Sequence, residues 1–178
     1  THILHAARAL GIADLLQAVC DPQVVQQCQA AGVGGRITAT VGGKSDHLHG
    51  APFPIEGTVT ALGDGRYEET GPTHGGFRFF NDGPSCALRT DDGYTLLLTS
   101  RSAGSSSLQQ FRSMGIEPTG FQIIVAKGVH SPRPAMEPIA KALIWVATPG
   151  VTSADLSTFH YRNRRVPLYP FEPDARWP

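Results

Sequence analysis

Residues 121–150, with the sequence FQIIVAKGVHSPRPAMEPIAKALIWVATPG, follow the strand, turn, helix, strand order of an α/β unit. The apolar run at 121–126 predicts a strand that is buried on both faces. The pattern then predicts a helix over 134–143, with Pro138 near its start or kinking it, and a second strand over 144–147. Ligands of open α/β sheets usually bind just beyond the carboxyl ends of strands, so we expect a binding site in the turn that begins at Lys127.

Three polar side chains lie in that turn: Lys127, His130 and Arg133. Lysine and arginine are suited to holding a carboxylate, arginine through a two-pronged contact. An imidazole changes its charge near neutral pH, which makes His130 a candidate for proton transfer. The alternative is that all three are ordinary solvated loop residues, and the turn by itself does not separate the two interpretations.

A second strand end carries a similar signal. The strongly apolar run at 94–99 predicts a strand, and Thr99, Ser100 and Arg101 stand at its carboxyl end. If this strand and the strand at 121–126 are neighbours, Arg101 and His130 share one edge of the sheet. The alternative, a surface arginine that closes a strand, fits the sequence about equally well.

The remainder of the chain predicts helices near its start and an antiparallel region in the middle. We expect a helix over 2–10 and, since Asp21 is a good N-cap and Pro22 fits the first helical position, a second helix to about residue 31. The run at 13–19 fits a strand or more helix, and we favour a strand. Alternating patterns and Gly/Asp turns predict a meander from about 36 to 99, with a loop over 46–54. A short helix is expected over 108–114.

Together these elements indicate the α/β class with α+β features. We expect a mixed β-sheet with flanking helices and an antiparallel meander inserted in the middle, as one sheet or two abutting sheets. Residues 1–178 are expected to form one domain whose last part, 151–178, is rich in proline and extended.

Composition excludes several classes of partner. The chain has 15 basic and 15 acidic residues, so no overall field favours nucleic acid or an anionic membrane. No apolar run approaches the roughly 20 residues needed to span a bilayer. The three widely spaced cysteines predict buried free thiols rather than disulfides, and the absence of a secretory signal pattern agrees with a reducing, cytoplasmic location.

Histidine pairs offer weaker metal signals. His47 and His49 would face the same side of a strand and could bind zinc with a third ligand, but glycines bound the segment and favour a loop with surface histidines. His2 and His5 have helical spacing and would need a ligand from elsewhere. The sequence therefore predicts no complete metal site in this chain.

Ordered motifs along almost the whole chain resemble one protein family. The chain resembles the C-terminal domain of the microcystinase C (MlrC-like) family of metallopeptidases. The motifs that carry this resemblance are Asp21-Pro22 with AAGVG at 30–34, GGK at 42–44 with Gly50 and Pro52, YTLLLTSR at 94–101, Phe111 with Gly115-Ile116 and Pro118, Lys127 with PIA at 138–140, TPG at 148–150, and Tyr161-Arg162 with Arg164, Pro167-Leu168 and Pro170.

The resemblance implies a role for this chain within a larger enzyme. Such proteins have a larger N-terminal domain that carries aspartate and histidine ligands for zinc, which activates water; the start of this chain, which lacks a helix cap, agrees with a piece of a longer protein. This chain would line one side of the cleft and bind no metal itself. His130 stands one residue earlier than the family's histidine.

Two hypotheses follow about function. In the first, the full-length protein is a zinc-dependent hydrolase of peptide or amide bonds that acts on a small substrate. His130 would donate to the developing oxyanion or the leaving nitrogen, while Arg101 and Lys127 hold a substrate carboxylate and Arg133, Ser100 and Thr99 line the site. In the second, the chain is a non-catalytic domain for ligand binding or oligomerisation. The N-terminal domain is the expected partner, and an assembly of identical chains is left open.

Overall fold

The structure is a computed structural model that describes residues 1–150 and 155–176. Its helices and strands alternate at the start of the chain, whereas strands dominate the middle. In chain order the elements are α1 His2–Ala9, β1 Leu15–Cys20, α2 Pro22–Ala31, β2 Arg36–Val41, β3 Phe53–Gly63, β4 Arg66–Glu68, β5 Phe79–Asn81, β6 Ser85–Thr90, β7 Tyr94–Thr99, α3 Gln109–Arg112, β8 Ile123–Val125 and α4 Arg133–Met136.

A mixed six-stranded sheet forms the centre, in the order β2-β3-β6-β7-β1-β8. Strands β2, β3, β6 and β7 pair antiparallel, and β1 pairs parallel with both β7 and β8. Strands β4 and β5 form a separate antiparallel ribbon. The predicted α/β class, the mixed sheet and the antiparallel meander are therefore confirmed, and the run at 13–19 is a strand rather than a helix.

Each face of the sheet is covered by helices. Alternate residues of β1 separate the two cores: Leu15 packs with α1 and α2, whereas Leu16 packs with α3 and α4. The first core also holds Phe53 and Tyr94, which are almost completely buried. This alternation is the period-two pattern of a strand that has helices on both sides.

The C-terminal third departs most from the sequence predictions. The strand predicted over 121–126 is only Ile123–Val125, and it is an edge strand whose Ile123 is 37% exposed, so its burial on both faces was wrong. The helix predicted over 134–143 is only Arg133–Met136, because Pro138 cannot donate to a helical hydrogen bond. Residues 144–147 form no strand, and Ile144 is 85% exposed.

The predicted proline-rich tail is described over residues 155–176, and residues 151–154 and 177–178 lie outside the described residues. The described part contains a 3₁₀ turn at Leu156–Thr158. Arg164 pairs with Glu172 at 2.6 Å and lies over the ring of Phe171. Of the three cysteines, Cys28 and Cys86 are buried free thiols as predicted, whereas Cys20 is exposed.

Candidate functional site

Four of the six predicted site residues, Thr99, Ser100, Arg101 and Lys127, stand at or just after the strand ends at the edge of the sheet where β7, β1 and β8 end. We call Cys20, Thr99, Ser100, Arg101 and Lys127 the strand-end rim. Cys20 and Thr99 are partners in the register of β1 with β7, and the three parallel strands place their carboxyl ends at this edge. Strands β7 and β8 are not direct neighbours, because β1 lies between them. The rim therefore spans three strands, whereas the sequence analysis considered the strands of Arg101 and Lys127 as direct neighbours.

Backbone contacts fix the positions of Arg101 and Lys127. The Thr99 hydroxyl is buried and donates to the carbonyl of Arg101 at 2.8 Å, and the Arg101 amide donates to the carbonyl of Asp82 at 2.9 Å. Ser105, in the loop that follows β7, donates to the Lys127 carbonyl at 3.4 Å, and its hydroxyl accepts from the Lys127 amide at 3.3 Å. The loop therefore ties the end of β7 to the end of β8.

The rim presents positive charge to solvent. Arg101 and Lys127 are exposed, and among residues 1–150 and 155–176 no carboxylate forms an ion pair with either side chain. Although Cys20 as a whole is exposed, partial burial of its thiol raises the thiol pKa, while the Thr99 hydroxyl and the charge of Lys127 oppose that rise. Lys127 therefore lies close enough to the end of β1 to act on it electrostatically.

His130 and Arg133 lie beyond Lys127 in a less enclosed setting. The His130 ring is exposed and meets Trp145 edge-on, with 5.7 Å between ring centroids. Arg133 begins α4 and holds Glu137 in a two-pronged contact of 2.8 and 3.0 Å. This contact raises the pKa of Arg133 and lowers the pKa of Glu137. A substrate carboxylate would have to compete with Glu137 for this guanidinium.

Asp21 has a larger role than the helix cap that the sequence indicated. It is 2% exposed, and one carboxylate oxygen caps α2 by accepting from the Val24 amide at 3.1 Å. Its other oxygen accepts from the Gly42 amide at 2.8 Å and from Lys44 Nζ at 2.7 Å. These contacts bring residues 42–52, which we call the docked loop, to the carboxyl end of β1.

The docked loop contains a carboxylate–imidazole pair that sequence reasoning missed. Asp46 Oδ2 lies 2.7 Å from His49 Nδ1, and Asp46 Oδ1 accepts from the amides of Leu48 and His49. The loop prediction for this segment is confirmed, but His49 is not an ordinary surface histidine. The available signal was an aspartate followed two and three residues later by its hydrogen-bond donors, a pattern typical of a local turn.

The other predicted histidine pair holds the docked loop in place. His2 Nε2 lies 2.9 Å from the carbonyl of Leu48, and His5 Nε2 lies 3.1 Å from the carbonyl of Ala51. A carbonyl oxygen only accepts, so each Nε2 carries a proton and is not free to bind a metal. In the described part of the chain, no group of three histidine, cysteine or acidic side chains has the arrangement to hold a metal ion.

Two surface depressions lie away from the strand-end rim. One, of about 590 Å³, lies between the end of α1 and strands β2 and β3, and includes Arg8 and Asp91. The other, of about 170 Å³, lies beside α4 and includes Glu69 and Arg112. Neither depression includes a residue of the strand-end rim.

A family model described as "MlrC C-terminus" matches residues 1–163 of this chain. The chain belongs to the MlrC C-terminal family. This confirms the resemblance carried by the ordered motifs. No helix in residues 1–150 or 155–176 is long and apolar enough to cross a membrane.

Two similar proteins are longer than this member of the MlrC C-terminal family. Microcystinase C from Sphingomonas sp is 26% identical over 158 residues, which is 87% of this chain and 29% of that protein. A crystal structure described as "Putative metallopeptidase" from Mesorhizobium sp. BNC1 matches with a TM-score of 0.79 and 26% identity, covering 99% of this chain and 35% of that one. The chain thus spans about a third of the length of each relative.

Proposed function

We propose that this chain is the C-terminal domain of a zinc-dependent hydrolase of peptide or amide bonds, and that its strand-end rim lines one side of the cleft. The observation that carries the proposal is the pair of exposed cations, Arg101 and Lys127, on either side of the end of β1. Membership of the MlrC C-terminal family and similarity to a structure named as a metallopeptidase supply the reaction class.

The rim suits a substrate that carries a carboxylate. Arg101 and Lys127 are cations without an ion-pair partner in the described residues, so they can bind an anion without first breaking an ion pair. Ser100 lies next to Arg101 and adds a hydroxyl, and Thr99 holds the Arg101 carbonyl. Arg133 would join when a substrate displaces Glu137. His130 donates to the developing oxyanion or to the leaving nitrogen.

The metal belongs to a different part of the protein in this proposal. The described side chains do not fit a metal site, so no step of the reaction is assigned to a metal held by this chain. The N-terminal domain of the full-length protein is the proposed partner and zinc carrier, and the greater length of both relatives supports its existence. All three cysteines are free thiols, which supports the proposed cytoplasmic location.

Residues 143–146 supply a surface on which the N-terminal domain can dock. Leu143, Ile144, Trp145 and Val146 are between 41% and 85% exposed although all are apolar. Contiguous exposed apolar residues mark interaction sites. Trp145 meets the ring of His130, so this segment lies beside the turn that follows Lys127. In this proposal, the domain that covers it forms the opposite wall of the cleft.

Kinetics of the full-length, zinc-loaded protein test this proposal on short N-acylated dipeptides with a free carboxylate. We expect Lys127→Ala to raise KM about tenfold with little change in kcat, because one charged hydrogen bond to the bound substrate is lost. Lys141→Ala is the matched control, since Lys141 is also exposed but follows α4. The proposal is overturned if no peptide of the set is cleaved, or if both variants give the same KM.

A second candidate is a non-catalytic domain that binds a partner subunit or drives oligomerisation. The exposed apolar segment at 143–146 is the observation that favours it, because such a segment also suits a contact between chains. Full-length protein that binds zinc and assembles through this segment, yet cleaves no peptide of the set, would support the second candidate over the first.

A further inference from the structure

We propose that His49 is a second catalytic histidine of the same cleft, a proton-transfer group that Asp46 orients. This inference rests on the proposed hydrolase function and deepens it. Its basis is the contact of 2.7 Å between Asp46 Oδ2 and His49 Nδ1, on a loop that is docked beside the strand-end rim.

The hydrogen bonds decide which nitrogen of His49 is available. The pKa of Asp46 is lowered, because hydrogen bonds from the Leu48 amide and from His49 outweigh the burial that alone would raise it. An ionised carboxylate only accepts, so His49 Nδ1 carries the proton of this contact. Neutral His49 therefore has its lone pair on Nε2. An imidazole held in this way by a carboxylate is a base of fixed orientation.

The backbone around His49 is held from a second direction. The His49 carbonyl accepts from the Thr1 hydroxyl at 2.8 Å, and the preceding carbonyl, that of Leu48, accepts from His2 Nε2 at 2.9 Å. Both donors belong to α1 or to the residue before it. With the side chain fixed by Asp46 and the main chain fixed by α1, the imidazole meets the requirement that a catalytic group be positioned by its surroundings.

The docked loop lies on the same side of the molecule as the rim. The Gly42 amide donates to Asp21, which directly follows the rim residue Cys20. A side chain added at Gly42 would meet both Thr1 and Val19, the latter one residue before Cys20. Thr1, whose hydroxyl donates to the His49 carbonyl, therefore lies beside the end of β1, next to the rim residue Cys20.

The geometry gives each histidine a separate role. As the oxygen of water bonds to the carbonyl carbon, His49 Nε2 accepts a proton from that water and becomes an imidazolium, which Asp46 stabilises. The same proton then passes to the amide nitrogen as the carbon–nitrogen bond breaks, and neutral His49 is restored. This leaves His130 to donate to the oxyanion. Within the loop, Lys44 pairs with Asp21, and the His47 side chain is exposed.

Variants of the full-length, zinc-loaded protein test the role of His49 on the same N-acylated dipeptides. We expect His49→Gln and His49→Ala to lower kcat about 100-fold with KM nearly unchanged, since general acid–base catalysis contributes at least that much. Added imidazole should restore part of the activity of His49→Ala. His47→Ala is the matched control, because His47 is an exposed histidine of the same loop.

Asp46 is a positioning residue, and its variants separate orientation from folding. We expect Asp46→Asn to lower kcat about tenfold without raising KM, because an amide does not hold Nδ1–H as a carboxylate does, and Asp46→Glu to recover part of the loss. If the unaltered protein cleaves the dipeptides and His49→Gln matches it in kcat, only the role of His49 is overturned. If the unaltered protein cleaves none of them, the proposed function and this inference fall together.

Discussion

The docked loop and the turn at 127–133 both present a histidine near the ends of β1 and β8, and they are built very differently. The Asp46 carboxylate holds the ring of His49. The backbone carbonyls of His49 and Leu48 accept hydrogen bonds from the Thr1 hydroxyl and the His2 imidazole. For His130 the described contacts are the edge-on ring of Trp145 and a hydrogen bond of 3.1 Å from the Arg133 amide to its carbonyl. The position of a side chain at a strand end and the fixed orientation of that side chain are thus separate properties. Only the position can be predicted from the order of helices and strands in the sequence.

The largest effect should come from Asp21, because it anchors the docked loop; none of its described hydrogen bonds or ion pairs reaches the turn at 127–133. We expect Asp21→Ala to lower the free energy of unfolding by about 3 kcal/mol, since it removes a helix cap and leaves the partly buried Lys44 without its partner. Urea unfolding of the variant measures this change.

Asp64→Ala is the matched control for Asp21→Ala. Asp64 is exposed in the turn after β3, where it accepts from the Arg66 amide at 2.9 Å. Asp64→Ala should lower the free energy of unfolding by at most about 1 kcal/mol, as expected for a surface turn contact. Equal losses for the two variants would show that the docked loop is not anchored through Asp21.

Between the two histidines of the comparison, His130 should have a smaller effect on kcat than His49. We expect His130→Ala to lower kcat about tenfold, less than the loss seen for a fully enclosed oxyanion donor, because this ring is exposed and none of the described carboxylates holds it. The readout is kcat of the full-length protein beside that of His74→Ala, an exposed loop histidine elsewhere. A greater loss for His130 than for His49 would reverse the comparison between the two loops.

Local signals in the sequence predicted the N-terminal two thirds well. Asp21-Pro22 starts α2 as expected, since a cap and a first-turn proline act within one helical turn. The meander was readable from alternation and Gly/Asp turns. Two contacts in this part of the chain were not predicted. Asp21 also accepts from the amide of Gly42, 21 residues away, and Asp46 holds the ring of His49. Side-chain contacts of this kind depend on the folded path of the chain.

The C-terminal third was predicted less well for a physical reason. Residues 144–147 have the composition of a strand, but a strand needs a neighbour for its backbone hydrogen bonds, and none of the described strands pairs with them. Likewise the helix at Arg133–Met136 is cut short by Pro138. The four apolar side chains at 143–146 are exposed instead, and we propose that they form a contact surface.

Arg133 offers a smaller test of the turn at 127–133. If Arg133 binds substrate, Glu137→Gln should lower KM about twofold, because an exposed ion pair contributes little and its loss frees the guanidinium for the substrate. Arg112 and Glu117 form a comparable exposed pair at 2.8 Å, so Glu117→Gln is the control. An unchanged KM for Glu137→Gln would remove Arg133 from the substrate-binding residues.

The smallest expected effect is the pH dependence that Asp46 gives to stability. Because hydrogen bonds from Leu48 and His49 outweigh burial, the pKa of Asp46 is lower in the folded chain. A lowered carboxyl pKa stabilises the fold fully above the unfolded value of about 3.9, and this contribution is lost as pH falls through the folded value. Urea unfolding should therefore show Asp46→Asn less stable than the unaltered chain at pH 6, with the difference shrinking below about pH 4.

His130→Gln should show no such convergence, since none of the described carboxylates holds His130. A constant difference for Asp46→Asn from pH 6 to pH 3 would mean that Asp46 and His49 are not paired in solution, and the contrast between the two loops would disappear.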